Sequence, residues 1–158
     1  MTVVYIGLGS NLDGPANQIS TAFEELSGLP DTKLLAKSSM YRSPPLGPAD
    51  QPDFINAVVK LETTLPANII LERLQEIEQQ HGRQRDAHWG PRTLDLDMLL
   101  YGNIKISEQT LTIPHPEMGS RHFVLYPLME IDEDVEVPGH GKVRELFEDL
   151  HVNPPERI

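Results

Sequence analysis

The chain has no cysteine, which excludes a disulfide framework, a thiolate nucleophile and a thiolate metal centre. It also lacks any run of about 18 apolar residues, and its start, MTVVYIGLGSN, has no basic stretch ahead of a long apolar one. These absences predict a protein without signal peptide or membrane span, suited to a reducing cytoplasm. Positive charge is scarce too: 13 Lys and Arg stand against 24 Asp and Glu, a formal net charge of −11. That balance repels nucleic acid and anionic membranes over most of the surface, so a polyanionic ligand needs a local basic patch. Arg83, Arg85, Arg92 and Arg121 are the candidates for it. The common phosphate loops are missing as well, because Gly7-Leu8-Gly9-Ser10 is too short for a dinucleotide fingerprint and no Walker-type loop occurs.

At 158 residues the chain fits one domain, 1–158, that buries its apolar surface without metal or crosslink. Val3 to Ile6 reads as a first strand, which Gly7, Gly9 and Ser10-Asn11 are expected to break. From Pro15, the apolar residues Ile19, Ala22, Phe23 and Leu26 recur at helical spacing up to a stop at Gly28. Leu34 to Tyr41 and Phe54 to Leu61 read as two strands joined by a loop stiffened with Pro44, Pro45, Gly47, Pro48 and Pro52. A second helix is expected over Ala67 to Gln80, with Ile70, Leu71, Leu74 and Ile77 on one side and Gly82 beyond its end. After a polar loop, residues 82–91, comes a strand within RTLDLDMLLYG, Arg92 to Gly102. The order strand, helix, strand, strand, helix, strand predicts an α+β fold, a ferredoxin-like βαββαβ core with a mostly antiparallel sheet and helices packed on it. Arg121 to Ile131 and Val143 to Leu150 suggest additional C-terminal helices.

The strand of RTLDLDMLLYG carries two carboxylates inside an apolar run. Simple alternation puts Leu94, Leu96, Met98 and Leu100 on one face and Asp95, Asp97, Leu99 and Tyr101 on the other. The two aspartates then share a face with Cα atoms about 6.5 to 7 Å apart. Like charges so close raise each other's pKa unless cations lie beside them. Magnesium suits such a pair, because it takes one or two carboxylates, phosphate oxygens and waters. A half-exposed strand with a wet polar face explains Asp-x-Asp equally well when nothing else is considered. Arg92, three residues before Asp95, and Arg83 and Arg85 in the preceding loop favour a phosphate site, since guanidinium forks bind phosphate oxygens in pairs. Each arginine alone reads as a surface salt bridge. His115, between Pro114 and Pro116, is presented from a stiff loop, and Trp89 in its Gly-Pro turn offers a face for a flat heterocycle or simply packs.

Several long segments resemble the 6-hydroxymethyl-7,8-dihydropterin pyrophosphokinase family. They are YIGLGSNL at 5–12, YRSPPLGPADQPDFINAV at 41–58, HGRQR at 81–85, HWGPRTLDLDML at 88–99, and LTIPHPEM with the following arginine at 111–121. The resemblance implies transfer of the terminal pyrophosphate of ATP to the pterin hydroxymethyl group, releasing AMP, as a step of folate biosynthesis. It implies two magnesium ions on Asp95 and Asp97, catalytic roles for Arg83 and Arg92 as well as those aspartates, and small-molecule partners only. It places Leu71, Gln75, Glu78, Met98 and Thr112 around the nucleotide. Arg83, Arg85, Arg92, His115 and Arg121 fall along its phosphates, with Trp89 nearby. The pterin site implied comprises Ser43, Pro44, Pro45, Leu46, Gly47, Phe54, Asn56, Trp89, Arg92, Arg121 and Phe123. No residue presents itself as a general base, so positioning and metal activation of the hydroxyl are expected to suffice. Loops 43–53 and 82–91 carry many of these residues, and closure over ATP is expected to exclude water.

Two other readings fit parts of the sequence. A ferredoxin-like phosphohydrolase would use the same aspartates and arginines, but it lacks an evident nucleophile and leaves the proline loop unused. A non-catalytic binding or regulatory module would not need the aspartates for ligand affinity. The chain is expected to act as a monomer, since no strand or helix is left obviously uncovered.

Overall fold

The computed structural model of the chain describes residues 1–45, 50–82 and 93–158. In chain order the core elements are β1 (Thr2–Ser10), α1 (Pro15–Ser27), β2 (Thr32–Lys37), β3 (Tyr41–Ser43), β4 (Phe54–Thr63), α2 (Ala67–Gln80) and β5 (Asp95–Tyr101). Short pairs follow, β6 (Ile106–Ser107) with β7 (Thr112–Ile113), and then α3 (His122–Ile131). The chain ends with β8 (Glu136–Val137), β9 (Gly141–Lys142), α4 (Val143–Asp149) and β10 (Glu156–Arg157).

All core pairings are antiparallel, in the order β5, β1, β4, with β2 and β3 both on the far side of β4 and β10 beyond β3. This is the split βαβ arrangement expected from the sequence. The helices over 15–27 and 67–80 form as their periodicities predict. Ile19, Ala22, Phe23 and Leu26 of α1 and Ile70, Leu74 and Ile77 of α2 are buried against Val4, Ile6 and Leu8 of β1 and Ile55, Ala57, Val59 and Leu61 of β4. Each of the larger side chains among these, Val, Leu, Ile or Phe, contributes about 1.5–3 kcal/mol on leaving water, before chain entropy is charged against it. The opposite face of the sheet is covered by α3 and α4, where Val124, Leu125 and Leu128 meet Tyr5, Val58, Leu99 and Leu100. The described residues therefore form three layers, helices on both sides of one sheet.

The structure corrects three expectations. Gly7 and Gly9 do not end β1; both stay in register with β4 and β5, and the pairing with β4 runs on to Ser10. The strand expected over 34–41 is two strands. Between them Ser38 turns its Oγ inward to accept the Val58 N–H at 2.9 Å, so a side chain replaces a ladder carbonyl and the run is interrupted. In β5 the alternation is not continuous: Ile6 pairs with Met98 but Tyr5 pairs with Leu100, so Leu99 is an extra residue. This bulge reverses the phase beyond it. Leu100 therefore joins the α3 side, and Tyr101 turns to the α1–α2 side, where its hydroxyl donates to the Leu65 carbonyl at 2.6 Å.

Candidate active site

Asp95 and Asp97 lie before the bulge, half-buried on the α3 side of the sheet. Their partners on β1 are Gly9 and Gly7, respectively. Two residues without side chains thus lie beside two carboxylates. On the other side of β1, Gly9 is paired with Asn56 of β4, and Asn56 with Tyr41 of β3. One row across the sheet therefore runs Tyr41, Asn56, Gly9, Asp95, with Asn56 and Asp95 two strand spacings apart, about 9.5 Å. A Cβ placed on Gly9 would sit 3.4 Å from Asn56 Oδ1 and 3.7 Å from a ring carbon of Phe54. Gly9 forms the floor of a trough with the Asp95 carboxylate on one wall and an amide and an aromatic ring on the other, while the Leu99 side chain packs over Gly7.

The amide is oriented. Asn56 Nδ2 donates to Ser43 Oγ at 2.7 Å, in a buried bond that leaves Oδ1 over Gly9. Ser43 is itself buried, followed by exposed Pro44 and half-buried Pro45. At the far end of the proline loop, Asn11 Nδ2 donates to Gln51 Oε1 at 3.2 Å and to the Pro52 carbonyl at 3.0 Å. Ser10 Oγ donates to the Thr93 carbonyl, tying the end of β1 to the segment entering β5. The residues first read as strand breakers thus hold the two segments that flank the trough.

His115 closes the carboxylate wall. Its backbone N–H donates to the carbonyl of the bulge residue Leu99 at 3.0 Å, and its Nε2 stands 3.9 Å from Asp97 Oδ1. Its Nδ1 accepts the Glu117 N–H at 3.2 Å, so in the neutral ring the proton resides on Nε2, toward Asp97. Burial lowers the His115 pKa below the usual imidazole value, and the Arg121 cation lowers it further against the opposing effects of Glu117 and Asp95. At neutral pH the ring is thus a hydrogen-bond donor without a full charge.

Arg121 donates to the Glu117 carboxylate, and its guanidinium lies 5.9 Å from the centre of the Phe123 ring. Phe123 stands in the first turn of α3, edge-on to His122 with ring centres 5.5 Å apart. Pro127, one turn on, has no N–H to give the carbonyl of Phe123.

Of the expected site residues, the structure brings Asp95, Asp97, Asn56, Phe54, Ser43 and His115 to the α3 side of the sheet or its edge. Met98 is different: its side chain is buried in the α1–α2 core, on the opposite face from the aspartates. Leu71 packs on that same core, Gln75 is half-buried on α2, and Thr112 is exposed on β7. Glu78 is turned inward, with Oε2 accepting the Leu96 N–H at 2.8 Å. Leu46, Gly47, Arg83, Arg85, Trp89 and Arg92 lie outside the described residues. The sequence reading missed Gly7, Gly9 and Glu117. Their signals were the glycine spacing of two, which matches that of the aspartates, and an acid four residues before Arg121.

Among the described residues, no cluster of three or more His, Cys, Asp and Glu forms a metal site, and no helix is long and apolar enough to cross a membrane. The two half-buried aspartates nevertheless fit a hard cation that takes its remaining ligands from phosphate and water.

The sequence model of 7,8-dihydro-6-hydroxymethylpterin-pyrophosphokinase (HPPK) matches residues 5–133. The chain belongs to the HPPK family. It is 50% identical over 146 residues to the 2-amino-4-hydroxy-6-hydroxymethyldihydropteridine pyrophosphokinase of Haemophilus influenzae, covering 92% of this chain and 91% of that one. To the enzyme of the same name from Pseudomonas aeruginosa it is 48% identical, over 91% of this chain and 89% of the other. Among solved structures, Plasmodium falciparum HPPK-DHPS with pteroate superimposes with a TM-score of 0.75 at 14% identity, covering 94% of this chain and 42% of that chain. An HPPK-DHPS crystallised with substrates gives 0.74 at 12% identity, covering 94% and 45%. The chain spans less than half of those longer proteins, and at such low identity the likeness shows the fold alone.

Proposed function

We propose that this chain transfers the pyrophosphoryl group of ATP to the hydroxymethyl group of 6-hydroxymethyl-7,8-dihydropterin, giving the pterin pyrophosphate and AMP, a step of folate biosynthesis. The observation that carries this reading is the trough itself, with Asp95 and Asp97 beside Gly9 and Gly7 and the Asn56 amide on the opposite wall, in a chain of the HPPK family.

A pterin lying over Gly9 presents its ring N–H and amino donors to Asn56 Oδ1, the amide atom that Ser43 leaves exposed to the trough. Phe54 and Phe123, with Trp89, supply aromatic surface for the flat ring. The hydroxymethyl oxygen then points along the row toward Asp95. It attacks the β-phosphorus of ATP as its proton is released to solvent, the bond from that phosphorus to the α,β-bridging oxygen breaks, and AMP departs with that oxygen.

Asp95 and Asp97 would hold two magnesium ions, which when bound neutralise the phosphate oxygens and template the in-line displacement. His115 Nε2–H, held by the Glu117 N–H behind it, donates to a phosphate oxygen passing Asp97. Arg121, with Arg83, Arg85 and Arg92, supplies fixed positive charge for a transition state that spreads negative charge over those oxygens. Leu71, Gln75, Met98 and Thr112 take the adenosine end. Since Met98 and Leu71 belong to the α1–α2 side, the nucleotide bends over the outer edge of β5 to reach the aspartates. The residues assigned here come from one chain forming one domain, 1–158. We take the working unit to be a monomer in the cytoplasm.

The test is AMP release from Mg·ATP, measured with the hydroxymethyl pterin and with an analogue lacking the hydroxyl. AMP formed only with the hydroxyl present supports transfer. Phosphate release indifferent to the pterin would mean a phosphohydrolase instead.

A further inference from the structure

Glu78 is the one charged side chain among the described residues that is buried, 2% exposed. A buried carboxylate costs several kcal/mol unless it is hydrogen-bonded or paired, so its placement requires a reason. Its Oε2 accepts the N–H of Leu96, the residue between Asp95 and Asp97. Among the described residues β5 is an edge strand, paired only with β1, and the outward amides of an edge strand must be capped or left to water. Among the described residues two groups meet this edge: the Glu78 carboxylate at Leu96 N and the His115 main-chain N–H at the Leu99 carbonyl. They bracket Asp97.

We propose that Glu78 is a positioning residue for the carboxylate pair, a role distinct from the nucleotide contact that the family resemblance implies. By fixing the peptide between Asp95 and Leu96 from the α2 side, it sets the tilt at which both aspartates leave the strand on the α3 side. A carboxylate-to-amide bond is shorter and stronger than a neutral one, and it replaces the missing neighbour strand at the point where the pair needs rigidity. Where the nucleotide crosses the edge of β5, Glu78 lies beneath it. The consequence for turnover rests on the pyrophosphokinase reading; the consequence for Leu96 and for metal affinity does not.

The experiment compares wild type with Glu78→Leu, which removes the acceptor, and Glu78→Gln, which keeps one. Three quantities are read: hydrogen exchange at the Leu96 amide, Mn²⁺ affinity by electron paramagnetic resonance, and kcat and KM(ATP) for AMP release. Glu78→Leu is expected to lose Leu96 protection, to bind Mn²⁺ about 10- to 100-fold more weakly, and to lose kcat while KM(ATP) stays within about threefold. Glu78→Gln should restore protection and most of the Mn²⁺ affinity. A Glu78→Leu protein with Leu96 protection and Mn²⁺ affinity unchanged overturns the proposal, as does a rise in KM(ATP) alone. Should Glu78→Leu fail to fold, a folded Glu78→Gln that loses Leu96 protection overturns it as well. If wild type transfers no pyrophosphate, the functional reading falls, while Leu96 exchange and Mn²⁺ binding still decide the role of Glu78.

Discussion

The two faces of the sheet use alternate residues of the same strands and spend them differently. On β1, Val4, Ile6 and Leu8 point toward α1 and α2 and fill a continuous apolar layer, while Tyr5, Gly7 and Gly9 point the other way. Tyr5 still packs, under α3. Gly7 and Gly9 contribute no side chain of their own: Leu99 packs over Gly7, Asn56 and Phe54 stand over Gly9, and Asp97 and Asp95 are their partners on β5. On β5, Leu96 and Met98 face the packed side, and the residues between and before them face the open one. The difference teaches that this fold obtains its site by withholding side chains from half of one face, with stability carried by the other.

The largest expected break of that division is Asp97→Asn. Loss of one metal carboxylate should lower pterin-dependent AMP formation by about 10²- to 10³-fold, in line with removal of one preorganised electrostatic group. The melting temperature should hardly move, because Asp97 packs against no apolar core, and calorimetry beside the assay checks both halves. On the packed face, Leu74→Ala should do the reverse. Leu74 is buried between helix and sheet, and its truncation should cost about 2–5 kcal/mol of stability in a denaturant titration. The turnover of the folded fraction at low temperature should remain at the wild-type value.

Gly9→Leu sharpens the comparison, because it puts a side chain where the open face has none. The backbone there is ordinary strand, and among the described residues the first added atom meets Asn56 and Phe54 at ordinary contact distance. Folding should survive, while KM for the pterin rises at least about tenfold, the equivalent of about 1.4 kcal/mol. Steady-state kinetics read this directly, and an unchanged KM would empty the trough of its role.

The smallest effect belongs to the rim where α3 meets the sheet. Glu130 accepts hydrogen bonds from Tyr41 Oη at 2.7 Å, Ser39 Oγ at 2.8 Å and Ser39 N at 2.9 Å. Burial pushes its carboxyl up, but these bonds and Arg157 outweigh it and hold the pKa below the usual value; burial and the same bond push the Tyr41 hydroxyl up to about 12. A depressed carboxylate stabilises the fold above its unfolded pKa, and that stability is lost as pH falls through the folded value. Wild type should therefore melt slightly above Glu130→Gln at pH 7, by less than about 1 kcal/mol at so exposed a site. The gap should close in acid.

Much of the packed face was legible in the sequence, because periodicity records burial: both core helices follow from Ile19, Phe23, Leu26, Ile70, Leu74 and Ile77. The open face was legible only as chemistry. Asp95, Asp97 and His115 stood out as residue types, whereas the glycines beside them read as breakers, since local propensity carries no information about a partner strand some 90 residues away. The Leu99 bulge left no mark in an apolar run of Met98, Leu99 and Leu100. Ser38 split a strand through a side-chain bond that no propensity scale contains.

The most direct test of the central claim, that the trough carries pyrophosphoryl transfer, is a ³¹P NMR record of Mg·ATP and 6-hydroxymethyl-7,8-dihydropterin with wild type and with the Asp95→Asn, Asp97→Asn double variant. The account predicts AMP and a pterin bearing two coupled phosphorus signals in equal amounts with wild type, and neither on the same timescale with the double variant. ADP or free phosphate as the product, or undiminished transfer by the double variant, would contradict it.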